Sequence, residues 1–377
     1  MFILRTIQGV MERGIKRMRS MLRLLLPICI MAFVTGCGAE STAEEPGAME
    51  ESARLSAEMP EAETSAEASA KTSDADTPMP QNQTLNKVYS LDTEIAEVTA
   101  DPVFGDYGRL IFPVDSWYYS GSTLGNLSLT WYNNIDPDKT VEIANYLRDH
   151  AEAGDTVFYD IYSEEEKAAD PDKEDTGLFF FRGNPGEKFA VCNAGGGFAY
   201  VGAMHDSFPH ALELSKMGYN AFALIYRPGA QTACEDLARA ISFIFEHAEE
   251  LEVDTDCYSL WGGSAGARMA AYLGSYGTAA FGGDDLPQAG AVIMQYTGHS
   301  EYSAEDPPTY ACVGTNDGIA NWRTMESRLA AMEKLGIPTE FHAYQGLRHG
   351  FGLGTGTVAG GWIDDAVAFW EAQMDES

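Results

Sequence analysis

From Gly177 onward the chain alternates short, almost wholly apolar runs with segments of helical spacing, and few folds accept that pattern. "GLFFFRG" and "KFAVCNAGGGF" read as neighbouring strands, "HALELSKMG" as a helix, "YNAFALIYR" as a third strand and "ACEDLARAISFIFEHAEEL" as a long amphipathic helix. "CYSLWGG" is a further strand, with a helix from Ser264 after it. "AGAVIMQYTG", "TYACVGTND" and "PTEFHAYQG" continue as strands, and "NWRTMESRLAAMEKLG" and "WIDDAVAFWEAQM" as helices. Strands that are apolar without alternation need cover on both faces. The pattern predicts an α/β fold with a mostly parallel, doubly wound sheet over residues 156–377.

Upstream the reading is coarser. "RLIFPVDSWYYSG" and "LSLTWYNN" have strand composition, and "DPDKTVEIANYLRDHAEAG" reads as a helix entered through Asp136-Pro137 and stopped at Gly154. "TVFYDIYSEEEK" looks like a strand and its exit. Residues 85–155 are expected to form an N-terminal extension packing on the sheet. Its aromatics Trp117, Tyr118, Tyr119, Trp131 and Tyr132 are expected in the core rather than on a substrate wall.

The first 84 residues read as targeting and spacing. Arg5, Arg13, Lys16, Arg17, Arg19 and Arg23 face one acid, Glu12, before a short apolar run from Leu24 to Val34. That run is about half of the ~20 residues that span a bilayer, so residues 1–36 read as a secretory signal. Its end, Val34-Thr35-Gly36-Cys37, resembles a bacterial lipobox, which implies lipidation of Cys37 and anchoring on the outer face of the cell membrane. Residues 37–84, rich in Ala, Glu, Ser, Thr and Pro, are too poor in apolar groups to fold and read as a disordered acidic tether.

The whole chain carries 24 basic and 57 acidic residues, a net charge of −33. Such a chain repels nucleic-acid backbones, so no DNA or RNA partner is expected. There is no HExxH or CxxC, and no metal or other cofactor is expected. Cys192, Cys234, Cys257 and Cys312 fall in strand or helix patterns and read as buried free thiols, although an exported chain is able to pair two of them.

The chemistry gathers around Gly262-Gly263-Ser264-Ala265-Gly266, a G-x-S-x-G between a strand and a helix. In a nucleophile elbow the serine sits on a strained turn, and glycines two before and two after remove Cβ clashes. A serine hydroxyl needs a base oriented by a third group, in the chain order Ser, acid, His. Asp317 follows the strand "TYACVGTN", and His349 lies in "GLRHGFG" just past "TEFHAYQ". His342 falls inside a strand and Asp306 precedes one, so both compete poorly. "NAGGGF" ends a strand with glycines whose backbone N–H groups are free to face a developing oxyanion, and Ala265 supplies another donor. Phe198 and His205 are candidate pocket residues, with a structural hydrogen bond the alternative for His205. Arg227 and Arg348 read as structural ion pairs, with a contact to an acidic substrate the alternative for each.

From about residue 156 the chain resembles the α/β hydrolases, and more narrowly the hormone-sensitive-lipase-like and acetyl- or feruloyl-esterase branch. The residues carrying this are Gly195-Gly196-Gly197-Phe198, Gly262 to Gly266, "IYRPG", and His349-Gly350-Phe351, in that order. The resemblance implies a Ser264–Asp317–His349 triad, with Gly196, Gly197 and Ala265 as oxyanion donors and no cofactor. It implies a carboxylic ester as substrate, and the expected anchoring outside the cell motivates a short acyl or feruloyl group on a polysaccharide. Ala194 stands where the branch often has a histidine that supports the glycine loop. Two rivals remain: a prolyl-oligopeptidase-type peptidase, whose propeller does not fit in residues 85–176, and a non-enzymatic binding lipoprotein built on the same fold.

Overall fold

The computed structural model describes residues 88–113, 118–129 and 134–375. The leader, Cys37, the whole acidic tract, Trp117, Trp131 and Tyr132 lie outside the described residues.

Ten strands occur in chain order among the described residues: β1 (Tyr119–Ser120), β2 (Ser128–Leu129), β3 (Phe158–Tyr159), β4 (Gly177–Phe181), β5 (Glu187–Asn193), β6 (Asn220–Ile225), β7 (Val253–Gly263), β8 (Ala291–Gln295), β9 (Thr309–Gly314) and β10 (Thr339–Tyr344). β1 and β2 form a small antiparallel pair. The others make one eight-stranded sheet in the order β10-β9-β8-β7-β5-β6-β4-β3. From β6 to β10 every pairing is parallel; β4 runs antiparallel to β6, and β3 antiparallel to β4. β4, β6, β8 and β9 are buried along their whole length, as strands covered on both faces must be.

Six longer helices are α1 (Pro137–Ala153), α2 (Phe208–Lys216), α3 (Ala230–Glu246), α4 (Ala265–Tyr276), α5 (Trp322–Glu333) and α6 (Trp362–Met374). The side chain of Asp136 caps α1 by accepting from the amides of Asp138 and Lys139, Pro137 occupies the first turn, and Gly154 ends it at φ 93°. α4 lies close on the sheet because its inner face is small: a Cβ on Gly274 would stand 2.7 Å from Val292 Cγ2.

Two expectations need correction. β4 and β5 are not neighbours, because β6 inserts between them and pairs with both. The apolar run Arg109–Phe112 is not a strand. Residues Pro102–Ile111 form a 3₁₀ run kinked at Gly105 (φ 52°), started by Pro102 and by the Asp101 side chain accepting from Val103 N. A Cβ on Gly108 would stand 2.4 Å from Thr99 O, so the turn packs too closely for an extended chain.

One hydrophobic core joins the segment before β3 to the sheet, with Val98, Phe104, Ile111 and Leu147 buried alongside Phe179 and Phe208. Tyr107 stacks on Phe158 at 5.1 Å and meets Phe179 edge-on. Tyr118 and Tyr119 are half-buried. Cys192, Cys234 and Cys312 are buried and Cys257 is half-buried, and all four are free thiols. No helix among the described residues is long and apolar enough to cross a membrane.

Candidate functional site

The sheet brings the ends of β5, β7, β8, β9 and β10 together along one edge, and the candidate residues sit on the connections that leave those ends. Between β7 and α4, Ser264 holds φ 52°, ψ −110°, a conformation an L-residue adopts only under constraint. Its amide donates to Gln295 O at 2.9 Å. The flanking glycines are required by contact: a Cβ on Gly262 would stand 2.2 Å from the Gly266 carbonyl carbon, and one on Gly266 would stand 2.0 Å from Asn193 O.

The structure brings Ser264, His349 and Asp317 into one hydrogen-bonded line. His349 Nε2 lies 3.0 Å from Ser264 Oγ, and His349 Nδ1 lies 2.8 Å from Asp317 Oδ2. The Asp317 carboxylate is fully buried, and its other oxygen accepts from the amides of Ile319 and Ala320, each at 2.7 Å. The two loops are bolted to each other, since Asn316 N donates to Leu347 O and Gly346 N donates to Thr315 Oγ1. A buried carboxylate that needs Nδ1–H as its donor leaves Nε2 unprotonated, in reach of the serine proton. His342 and Asp306 stand apart from this line: His342 pairs with Glu340, and Asp306 is buried in an ion pair with Arg328.

The glycine loop after β5 turns beside the serine. Gly196 (φ 143°) lines the same small pocket as Ser264 and His349, whereas Gly197 (φ 62°) is exposed and does not line it. Among the described residues no partner accepts from the Gly196 and Gly197 amides. Ala265 is the first residue of α4, so its N–H has no intrahelical acceptor. The Gly195 amide is committed elsewhere, donating to Asp206 Oδ2 at 2.9 Å. Where Ala194 replaces a supporting histidine, its carbonyl accepts from Tyr226 Oη at 2.7 Å, so the loop is held from below by other means.

His205 lines the pocket, but its Nε2 is engaged with Gly350 O at 2.8 Å, the structural alternative. Phe198 does not line it. At φ 60° its carbonyl turns to accept from Gly229 N, and its ring packs against the core. Arg227 is a structural cation, bonded to buried Asp236 and to Asp170. Arg348 departs from expectation: it is exposed and forms no ion pair among the described residues.

Sequence reasoning missed Asp206 and Tyr296, both buried and both lining the pocket. The signal was Gly263, the variable position of the serine motif. A Cβ there would stand 2.3 Å from Asp206 Oδ2, so a neighbouring side chain takes its space. Among the described residues no cluster of His, Cys, Asp and Glu has the arrangement of a metal site.

Residues 186–324, just over a third of the chain, match the model of the BD-FAE family, an esterase family. That segment holds the glycine loop, Ser264 and Asp317. A comparison with curated proteins finds no match. Among solved structures, the chain is similar to an acetyl ester-xyloside bifunctional hydrolase from Caldicellulosiruptor lactoaceticus, at 19% identity and a TM-score of 0.51, covering 57% of this chain and 95% of that one. It is also similar to the esterase Est2 from Thermogutta terrifontis, at 20% identity and a TM-score of 0.47, covering 58% of this chain and 91% of that one. Together with the strand order and the turn at Ser264, the first likeness fixes the architecture: the chain has an α/β-hydrolase fold.

Proposed function

We propose that this chain is a serine hydrolase that cleaves carboxylic esters through an acyl-enzyme. The observation that carries the reading is the line from Ser264 Oγ through His349 to buried Asp317. His349 Nε2 takes the hydroxyl proton as Oγ attacks the ester carbonyl. Asp317 keeps Nδ1 protonated and balances the imidazolium. The oxyanion forms beside the unpartnered amides of Gly196 and Ala265, with the Gly197 amide next in the loop. The imidazolium then passes its proton to the leaving alcohol, and water releases the acid by the same steps in reverse. No metal or other cofactor takes part.

The family-model match supports ester over amide as the bond cleaved. The bifunctional relative, named for an acetyl ester and a xyloside, motivates a short acyl group on a glycan as the substrate class. Turnover of nitrophenyl acetate, butyrate, octanoate and feruloyl esters by wild type and Ser264→Ala tests this. Hydrolysis lost in the variant, with fluorophosphonate labelling confined to Ser264, is the expected result. A folded wild type that neither turns over nor labels moves the reading to a binding protein. The lipobox-like end of the leader supports an anchored, exported enzyme. Incorporation of labelled palmitate that survives Cys37→Ser would refute that placement.

A further inference from the structure

Asp206 is 1% exposed and ends a short helical turn, Ala203–Asp206, directly behind the elbow. Its carboxylate bonds both walls of the site. Oδ2 accepts from the Gly195 amide at 2.9 Å, and Oδ1 accepts from Tyr296 Oη. Tyr296 Oη in turn accepts from the Gly352 amide at 3.3 Å. The Tyr296 ring lies 5.0 Å from the His349 ring and 4.8 Å from that of Phe351. The next residue back, His205, reaches the same loop through Gly350 O. One buried carboxylate thus ties the glycine loop on one side of Ser264 to the histidine loop on the other. The close approach also explains the glycines around it, since a Cβ at Gly195 or Gly263 would collide with Oδ2.

Resting on the hydrolase reading above, we infer that Asp206, with Tyr296 as its donor, is a positioning residue. It holds the Gly195 N–H away from the reaction, so that the following amides face the oxyanion, and fixes the loop that carries His349. Tyr296 suits the role because it is fully buried and its phenol is held well above the usual range by burial and by the Asp206 charge, so it stays a proton donor. Asparagine at 206 keeps one accepting oxygen for Gly195. Its NH₂ then faces Tyr296 Oη, so the Tyr296 O–H loses the oxygen that accepted it and the second tie is lost in its present form.

The test uses Asp206→Asn and Tyr296→Phe in the full chain, singly and together. Turnover of nitrophenyl acetate is divided by the sites titrated with a fluorophosphonate, which removes unfolded protein from the comparison. Per-site kcat is expected to fall ~10- to 100-fold with KM within about threefold, as for a small misplacement of reacting groups. The double variant is expected to be no worse than about threefold below the poorer single one, because groups acting as one unit are not additive. Amide exchange over residues 193–202 and 346–354 is expected to quicken in Asp206→Asn. Per-site kcat within about twofold of wild type, or unchanged exchange in both segments, overturns the inference. A wild type that neither turns over nor labels sinks the hydrolase reading instead, and the exchange measurement then decides Asp206 by itself.

Discussion

Ser264 donates its backbone N–H to the carbonyl of Gln295 across 2.9 Å, and this bond helps lock the serine at φ 52°, ψ −110°. The strain is stored where the hydroxyl must project. Holding a non-glycine residue in such a region costs about 1–3 kcal/mol, and glycine escapes most of it. Ser264→Gly is therefore expected to unfold at a higher temperature than Ser264→Ala, by about 1 kcal/mol or roughly 2 °C. Both variants are expected to lose turnover. Calorimetry on the pair decides it; equal melting temperatures would mean the turn is unstrained.

Asp317→Asn should fail by tautomer rather than by lost charge alone. The amides of Ile319 and Ala320 both donate to Oδ1, so an asparagine at 317 turns its oxygen toward them and its NH₂ toward His349. His349 Nδ1 then becomes an acceptor, and Nε2 carries the proton and no longer accepts one from Ser264. We expect kcat to drop by ~10³ to 10⁴ with KM little changed. Raising the pH is not expected to restore it. A drop below about tenfold would show that Asp317 does not set the tautomer.

Ser264, Asp317 and His349 were each legible because each sits at the end of a strand with a local signature: glycines, a turn, a loop. The order of the strands was not legible. β4 and β5 are adjacent in sequence, yet β6 separates them, and pairing depends on contacts between distant segments. The run Arg109–Phe112 misled for a related reason. Its apolar residues face the core from a 3₁₀ turn whose shape is set by Gly105, Gly108 and the Asp101 cap, not by β propensity. Asp206 was hidden because a single aspartate in a helical stretch has no pattern of its own. The collisions a Cβ at Gly263 or Gly195 would meet reveal it.

Gly266→Ala adds one carbon to the tightest contact of the elbow. The new Cβ would stand 2.0 Å from Asn193 O, the last carbonyl of β5, where only backbone is available to yield. The start of α4 must then move off the sheet and carry Ser264 with it. We expect a loss of about 1–3 kcal/mol, typical of overpacking, and of more than tenfold in kcat at full folding. Urea denaturation and active-site titration separate the two effects. An alanine accepted without either loss would show that the helix start is free to shift.

His299 gives the fold a pH dependence that is separate from the site. It is 4% exposed, its ring meets Tyr272 edge-on at 5.1 Å, and the nearby cations are Arg328 and Arg268. Burial first, then these two cations, lower its pKa from 6.5 to about 3. The folded state therefore keeps the ring neutral while the unfolded chain takes up a proton below pH 6.5, so stability is full at neutral pH and falls as the pH drops toward 3. Between pH 7 and pH 5 this amounts to about 2 kcal/mol. His299→Gln removes the titration and leaves the other groups in place. Urea denaturation at the two pH values is expected to show the variant losing about 2 kcal/mol less than wild type. Equal losses would mean that His299 is protonated in the folded protein as readily as in the unfolded chain.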